Sequence, residues 1–289
     1  MSKLLTVLHV FYHDQIDYFI DKLSNINGIE WDLVVTYSTR SVETEAKIKG
    51  LKPDARLLQV PNVGYDVWPF IQVMRCTDCS EYDYVLKLHT KGESELRLNG
   101  VNFKGLLWRD LLVDAIMKSK RHFSACIDIL EKQSDVGMIC SYELYKKMED
   151  ILPEDTHMLQ EEARRISLDI TDAYFCAGTM FLARSDCFMK LQEFEYAHEL
   201  WGNLNKSHAS GTLAHVYERI LCLMVFDRGY KIVKKCGSKF LRFSVFYKSN
   251  LSPFIKQILN LYRDPYTREK YLTLFGIKIN LSDRTHARN

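Results

Sequence analysis

The sequence predicts an α/β fold: a mostly parallel central sheet flanked by helices, followed by a basic helical tail. Short apolar runs at residues 4–11, 31–37, 55–60, 82–88 and 136–141 alternate with segments of helical periodicity or polar character. That alternation builds parallel sheets, because a parallel neighbour needs a crossover long enough to hold a helix. From Gly237 onward the composition changes: ten Lys or Arg face three acids, with aromatics interleaved. The expected division is therefore 1–236, an α/β domain, and 237–289, a basic aromatic tail.

Taken in order, residues 4–11 (LLTVLHVF) make the first strand. Ile16, Phe19, Ile20 and Leu23 then mark one helix face, stopped by Asn27-Gly28. Strand 31–37, a polar helix over 41–48 and strand 55–60 follow. Residues 61–70 (PNVGYDVWPF) turn into the next helix: Gly64 admits unusual backbone angles, Asp66 suits an N-cap, and Pro69 suits a first turn. This accounts for Gly, Asp and Pro but leaves Asn62 unexplained, so a site role for Asn62 or Asp66 stands beside it. Residues 106–130 read as one long amphipathic helix, with Trp108 in its core face and Arg109 either turned back at the site or, as preferred, on the surface. Residues 143–168 read as a charged helix interrupted by Pro153, and 174–183 as a further strand with Gly178 marking a bulge or a ligand.

Composition narrows the function. A formal net charge of +2 gives no field for nucleic acid. Eight scattered cysteines and no secretory start suit a reduced, cytoplasmic protein. Cys76 and Cys79 have half-zinc-site spacing, but no second pair follows. No run approaches the ~18 apolar residues of a membrane span. The tail suits an anionic membrane surface or a cap packed on the domain.

The chemistry concentrates at the end of the fourth strand. His89, Thr90 and Lys91 crowd its C-terminal tip, where open α/β sheets bind ligands, and a cation there suits a diphosphate. The polar loop 91–104 after it has the length of a functional loop. Further on, His215, Glu218 and Arg219 share a helix face. A histidine beside a carboxylate is what general-base chemistry needs, although the same spacing also describes a plain surface cluster.

Four stretches in order resemble the rhamnan synthesis protein F family of bacterial glycosyltransferases: 62–70 (NVGYDVWPF), 87–91 (KLHTK), 177–184 (AGTMFLAR) and 211–219 (GTLAHVYER). Leu107-Trp108-Arg109 lies between the second and third, and the resemblance spans about 4–230. It implies sugar transfer from a nucleotide-sugar to a cell-surface polysaccharide or lipopolysaccharide. The pattern is also similar to a nucleotide-sugar transferase fold of the A type, whose Asp-x-Asp holds a divalent metal. Here His89-Thr90-Lys91 stands in that place. A protonated lysine cannot ligate a metal and one histidine is a poor site for a hard cation, so the expectation is no metal and no other cofactor.

The expected roles follow from that place. Tyr12, His13, Thr36, Tyr37, Asn62, Gly64 and Asp66 hold the nucleoside. Lys87, His89, Thr90 and Lys91 meet phosphate. Gly178, Thr179 and Met180 line the sugar and glycan or glycolipid acceptor. His215 is the preferred base with Glu218 orienting it, against the reverse and against a structural role for both. A non-catalytic glycan-binding or scaffold subunit is the alternative. A hydrolase or phosphotransferase lacks its Gly-rich phosphate loop or Gly-x-Ser-x-Gly elbow.

Overall fold

The computed structural model describes residues 2–93, 95–98, 101–103, 105–148, 153–170, 174–196, 201 and 212–237, and within the tail 243, 246–247, 251, 254–255, 258–263 and 268–281. The chain forms two compact units. The first is Met1–Ser94 with Gly105–Ser238; the second is Glu95–Lys104 with Lys239–Asn289. A division drawn along the sequence at 236/237 leaves residues 95–104 in the first unit, whereas they belong to the second.

In the first unit, β1 (Lys3–Val10) has seven of its eight residues buried and forms the centre of the sheet. It pairs in parallel with β2 (Glu30–Tyr37) on one side, and β2 with β3 (Arg56–Gln59). After β3 the chain returns to the other side of β1, where β4 (Tyr84–His89) also runs parallel. The chain thus leaves β1 in both directions, and the C-terminal tips of β1 and β4 flank the crevice that this reversal opens. The helices between are α1 (Ile16–Leu23), burying Ile16, Phe19 and Leu23, then α2 (Val42–Leu51) and α3 (Val67–Arg75).

A short hairpin of β5 (Leu96–Leu98) and β6 (Val101–Phe103) lies where the sequence reads as loop. The expected long helix is two: α4 (Leu107–Met117) and α5 (Lys120–Lys132), because extended Ser119 caps the second through the His122 N–H at 3.2 Å. β7 (Val136–Ser141) rejoins the sheet. Residues 143–168 hold a strand, β8 (Tyr145–Lys147), as well as the helix α6 (Pro153–Arg165), which has proline at its start.

The expected strand 174–183 is broken into β9 (Tyr174–Cys176), paired with β8, and β10 (Phe181–Arg184), antiparallel between β4 and β7. Gly178 (φ 93°) and Thr179 (φ 44°) are both left-handed, so the run cannot stay extended. A short α7 (Lys190–Glu193) and α8 (Leu213–Asp227) follow, and β11 (Lys231–Lys235) pairs in parallel with β7. The main sheet runs β11-β7-β10-β4-β1-β2-β3, with β10 its antiparallel member.

In the second unit the described residues 243, 246, 254–255 and 258 are helical, and the later part of the expected helical tail is instead a meander: β12 (Leu259–Arg263), β13 (Lys270–Leu274) and β14 (Ile277–Asn280), all antiparallel. Phe275 and Gly276 join the last two with both φ positive (48° and 83°), the signature of a tight hairpin turn. Among the described residues no helix is long and apolar enough to cross a membrane.

Candidate active site

Asp66 stands at the N-cap position of α3, yet its side chain makes no capping bond. An unfilled aspartate cap forgoes about 1 kcal/mol of helix stability. The carboxylate instead turns under the tip of β4. Its Oδ2 accepts from Lys87 Nζ and from the Thr179 hydroxyl, and lies 3.3 Å from His89 Nδ1. Lys87 also donates to the Thr179 carbonyl at 3.0 Å and to its hydroxyl at 2.7 Å. These bonds hold Thr179 in its left-handed conformation, which for a β-branched residue is strained.

Burial acts to raise the Asp66 carboxyl, but His89, Lys87 and the hydrogen bonds from Lys87 and Thr179 outweigh it and hold it well below the usual carboxylate range. His89 is itself held well below the usual imidazole range, by burial first and then by Lys87, Lys91 and His9, against the pull of Asp66. Lys87 is the amine that hydrogen-bonds Asp66 directly. His9, level with His89 on the neighbouring strand, is lowered to about 4, again by burial first. Its Nδ1 shares a 3.0 Å hydrogen bond with the Thr36 hydroxyl.

Two clefts open over this buried knot. The first, about 400 Å³, lies at the tips of β1 and β4 and is lined by His9, Phe11, Tyr12, Asn62, Tyr65, Asp66, His89, Thr90, Lys91 and Gly92. Thr90 fastens its floor: its hydroxyl accepts from the N–H groups of Phe11 (2.9 Å) and Tyr12 (3.0 Å). The second, about 460 Å³, continues past Trp108 to β8, β9 and α8. Tyr65, Asp66 and Lys91 line both.

Lys91 stands where the clefts meet. Its ammonium lies 3.9 Å from the centre of the Trp108 ring and, among the described residues, has no carboxylate within 4 Å. Burial lowers it from the usual lysine value, while Asp66 and Glu218 pull it back up. Gln15 clamps its backbone, donating to the Lys91 carbonyl at 2.8 Å and accepting from the Lys91 N–H at 3.4 Å. Arg109, expected at the surface, is buried; it donates to Gln15 Oε1 at 3.3 Å and lies over Tyr18. Trp108, expected in the core, is half-buried and walls the second cleft.

Glu218 enters the second cleft from the first turns of α8. Its Oε1 accepts from the Gly178 N–H at 2.6 Å, a contact that left-handed Gly178 makes available. A side chain at 178 would meet Leu112 at 2.7 Å and Trp108 at 2.9 Å. Burial raises the Glu218 carboxyl above the usual range, against the Gly178 N–H, Arg219 and Lys91. His215 lines the same cleft, shares a 2.8 Å hydrogen bond with the Thr212 hydroxyl through Nδ1, and packs edge-on against Tyr65. The pairing of Glu218 with His215 expected from their spacing is thus replaced: Glu218 is held by Gly178, and His215 by Thr212.

Residues 1–230 match the rhamnan synthesis protein F family. The chain belongs to that family. Among curated proteins it is similar to the uncharacterized protein WxcX of Xanthomonas campestris pv. campestris in two strains, 24% identical over 228 residues in each. The match takes in 78% of this chain but 32% of WxcX, so the chain spans about a third of the length of these relatives. Among solved structures, S. aureus TarS 1-349 aligns at a TM-score of 0.42 with 9% identity, over 86% of this chain and 65% of that one. A mycobacterial protein aligns at 0.41 with 13% identity, over 96% and 85%.

Of the residues expected at the site, Tyr12, Asn62, Asp66, His89, Thr90, Lys91, Gly178, Thr179, His215 and Glu218 line the two clefts. Six do not. Thr36 is buried against His9, and the Tyr37 hydroxyl donates to Glu45 at 2.6 Å; the tip of β2 lies one strand away from the crevice. Both ring nitrogens of His13 are committed, to Thr44 and to the Thr39 carbonyl, at 2.9 Å each. Gly64 is a packing position, where a side chain would meet Trp68 at 2.6 Å and Trp201 at 2.8 Å. Lys87 is beneath the first cleft with its N–H groups engaged, and Met180 is core. Sequence reasoning missed His9, whose place inside an apolar run disguises it, and Tyr65, whose positive φ (53°) has no sequence signal beyond the preceding glycine.

Among the described residues no three His, Cys, Asp or Glu side chains gather as a ligand group, and Asp66 is engaged by Lys87 and Thr179.

Proposed function

We propose that the chain is the catalytic part of a glycosyltransferase in polysaccharide synthesis, moving a sugar from a nucleotide-sugar to a glycan or glycolipid acceptor without a divalent metal. The observation that carries this reading is Lys91: a cation without a carboxylate partner among the described residues, fixed by Gln15 and Trp108 at the junction of two clefts. The donor's nucleoside and diphosphate occupy the first cleft, and its sugar and the acceptor occupy the second. Family membership supports the same reading.

The acceptor hydroxyl gives its proton to Glu218, and its oxygen bonds to the anomeric carbon. The bond from that carbon to the phosphate oxygen breaks. The nucleoside diphosphate leaves with the electron pair, and Lys91 faces the charge that grows there. Glu218, rather than His215, is the base we favour, because the Gly178 N–H holds its carboxylate in the second cleft whereas Nδ1 of His215 is engaged by the Thr212 hydroxyl. Thr212 and Tyr65 set the orientation of His215 at the cleft wall. Rhamnose is the candidate donor sugar suggested by the family's description.

Incubation with dTDP-, UDP- and GDP-sugars in excess EDTA tests this. Release of a nucleoside diphosphate from one of them is expected. Turnover that disappears on chelation and returns with Mn²⁺ or Mg²⁺ would contradict the metal-free reading, and release from none of them would contradict the activity.

Cytoplasmic work at an anionic membrane face is the location we propose. Eight cysteines without disulfides and the basic, aromatic second unit support it. Salt-sensitive sedimentation with anionic vesicles is expected, and equal sedimentation with neutral vesicles would argue against it.

A further inference from the structure

The far end of the second cleft carries charge that sugar transfer does not use. β8 and β9 pair so that Lys146 lies directly across from Phe175. The Arg219 guanidinium lies over the same Phe175 ring, 4.7 Å from its centre. Both cationic residues thus neighbour Phe175, Lys146 by strand register and Arg219 by ring contact, and all three residues line the cleft. Among the described residues the Lys146 ammonium has no hydrogen bond or ion pair. Arg219 is 8% exposed; it donates through Nη1 to the His215 carbonyl, and its Nε has no partner among the described residues. Among the described residues Glu218 is the carboxylate paired with it, with Oε2 at 3.8 Å from Nη1, and that carboxyl is raised by burial and bonded to Gly178. Cationic capacity is thus left over on the acceptor side, separate from Lys91 at the other end.

A neutral sugar hydroxyl does not require this. Holding a buried guanidinium with an unpartnered N–H costs on the order of 1–3 kcal/mol unless a ligand satisfies it. An oxyanion does so well: arginine presents a planar fork and lysine a mobile point charge, the usual pair for phosphate or carboxylate. Phe175 between them offers an apolar face to a sugar ring.

We propose that Lys146 and Arg219 form an anion subsite that recognises a negatively charged acceptor, one bearing a phosphate or carboxylate close to the sugar that receives transfer. This rests on the acceptor occupying the second cleft. The anion anchors the acceptor at one end of the cleft, which leaves a neighbouring hydroxyl free to meet Glu218.

Calorimetry on the full chain tests it with three small probes: glucose, glucose 6-phosphate and glucuronate, each added with UDP present to compete for the first cleft. The two anionic sugars are expected to bind and glucose not. Lys146→Ala should weaken the anionic probes about tenfold, and Lys146→Glu more. Lys231→Ala, a charge removal on β11 at a lysine paired with Asp135, should leave binding unchanged. Preference for the phosphate over the carboxylate would identify a phosphate-bearing acceptor, and the opposite order a uronic-acid glycan. Equal binding of glucose, absence of binding by either anion, or binding indifferent to Lys146 would overturn the subsite. A chain that binds the anionic sugars through Lys146 yet releases nucleoside diphosphate from no donor would contradict the transferase reading and leave the subsite standing.

Discussion

Lys87 and Lys91 lie four residues apart at the end of one strand, and their surroundings could hardly differ more. Around Lys87 everything is closed. Its donors meet the Asp66 carboxylate and two oxygens of Thr179, and the aromatic face of Phe70 covers it. Around Lys91 the protein fixes the backbone through Gln15 and one side through Trp108, and leaves the ammonium on a cleft wall. Both regions hold charge out of water. One spends it on itself, and the other keeps it for something not part of the chain. The diverted cap at Asp66 and the left-handed Thr179 show that the closed knot is maintained against local preference, and the open wall is built on top of it.

The largest expected effect sharpens this contrast at Glu218, the carboxylate of the open wall. Glu218→Gln should lower kcat by about 10²- to 10⁴-fold, the usual span for losing a general base. Its carboxyl is raised in the fold, so the ionised form is disfavoured there relative to the unfolded chain. Removing the charge should therefore leave the melting temperature unchanged or higher at neutral pH. In the wild type kcat should fall with acid through a limb displaced upward from the ordinary carboxylate value of 4.5. A variant that loses activity together with melting temperature would place Glu218 in the closed class instead.

Lys87→Met probes the other region. It strands a buried Asp66 carboxylate, which costs on the order of 3–5 kcal/mol and should lower the melting temperature by on the order of 10 °C. Thermal unfolding with and without the Asp66→Asn partner change checks it. The double variant should recover part of the loss, because no unpaired ion remains; no recovery would mean that the pair is not what holds the knot.

A smaller effect comes from acid. His9 is neutral in the fold, with its value lowered from 6.5 to about 4. The unfolded chain binds the proton first, so stability is complete above about 6.5 and falls as pH drops through about 4. The loss from this residue alone is about 3 kcal/mol. His89 acts in the same direction. Denaturation midpoints at pH 7, 5.5 and 4 should decline in that order, and His9→Asn should flatten the decline.

How much of this was legible beforehand depends on what each residue does. The alternation of strands and helices is written in apolar periodicity, and so is the place of Lys91 after an apolar run. The break at 177–180 is not, because β10 is as apolar as β9 and only the backbone angles of Gly178 and Thr179 divide them. The tail misled through composition only beyond residue 258, where helix gives way to strands. Its basic aromatics suit a membrane helix, whereas the Leu-Phe-Gly-Ile stretch around residue 276 carries a hairpin turn signal that outweighs composition. Within the site, the strand tips look alike in sequence, although the crevice opens between β1 and β4. That geometry excludes Thr36 and Tyr37 and admits His9. Partner choice was hidden as well: nothing in the spacing of Asp66, Lys87 and Thr179 says that they share protons.

The most direct test of the central claim is nucleotide binding at Lys91. Nucleoside diphosphates, added in EDTA at one hundred times their dissociation constant, should stabilise the wild type by about 2.7 kcal/mol. Lys91→Ala should fold with an unchanged melting temperature, lose most of that ligand-induced shift, and retain on the order of one hundredth of kcat. Lys91→Arg should restore part of both, since a planar fork does not replace a compact ammonium. A diphosphate-induced shift that is equally large in Lys91→Ala, or absent from the wild type, would contradict the assignment of this lysine to the leaving group.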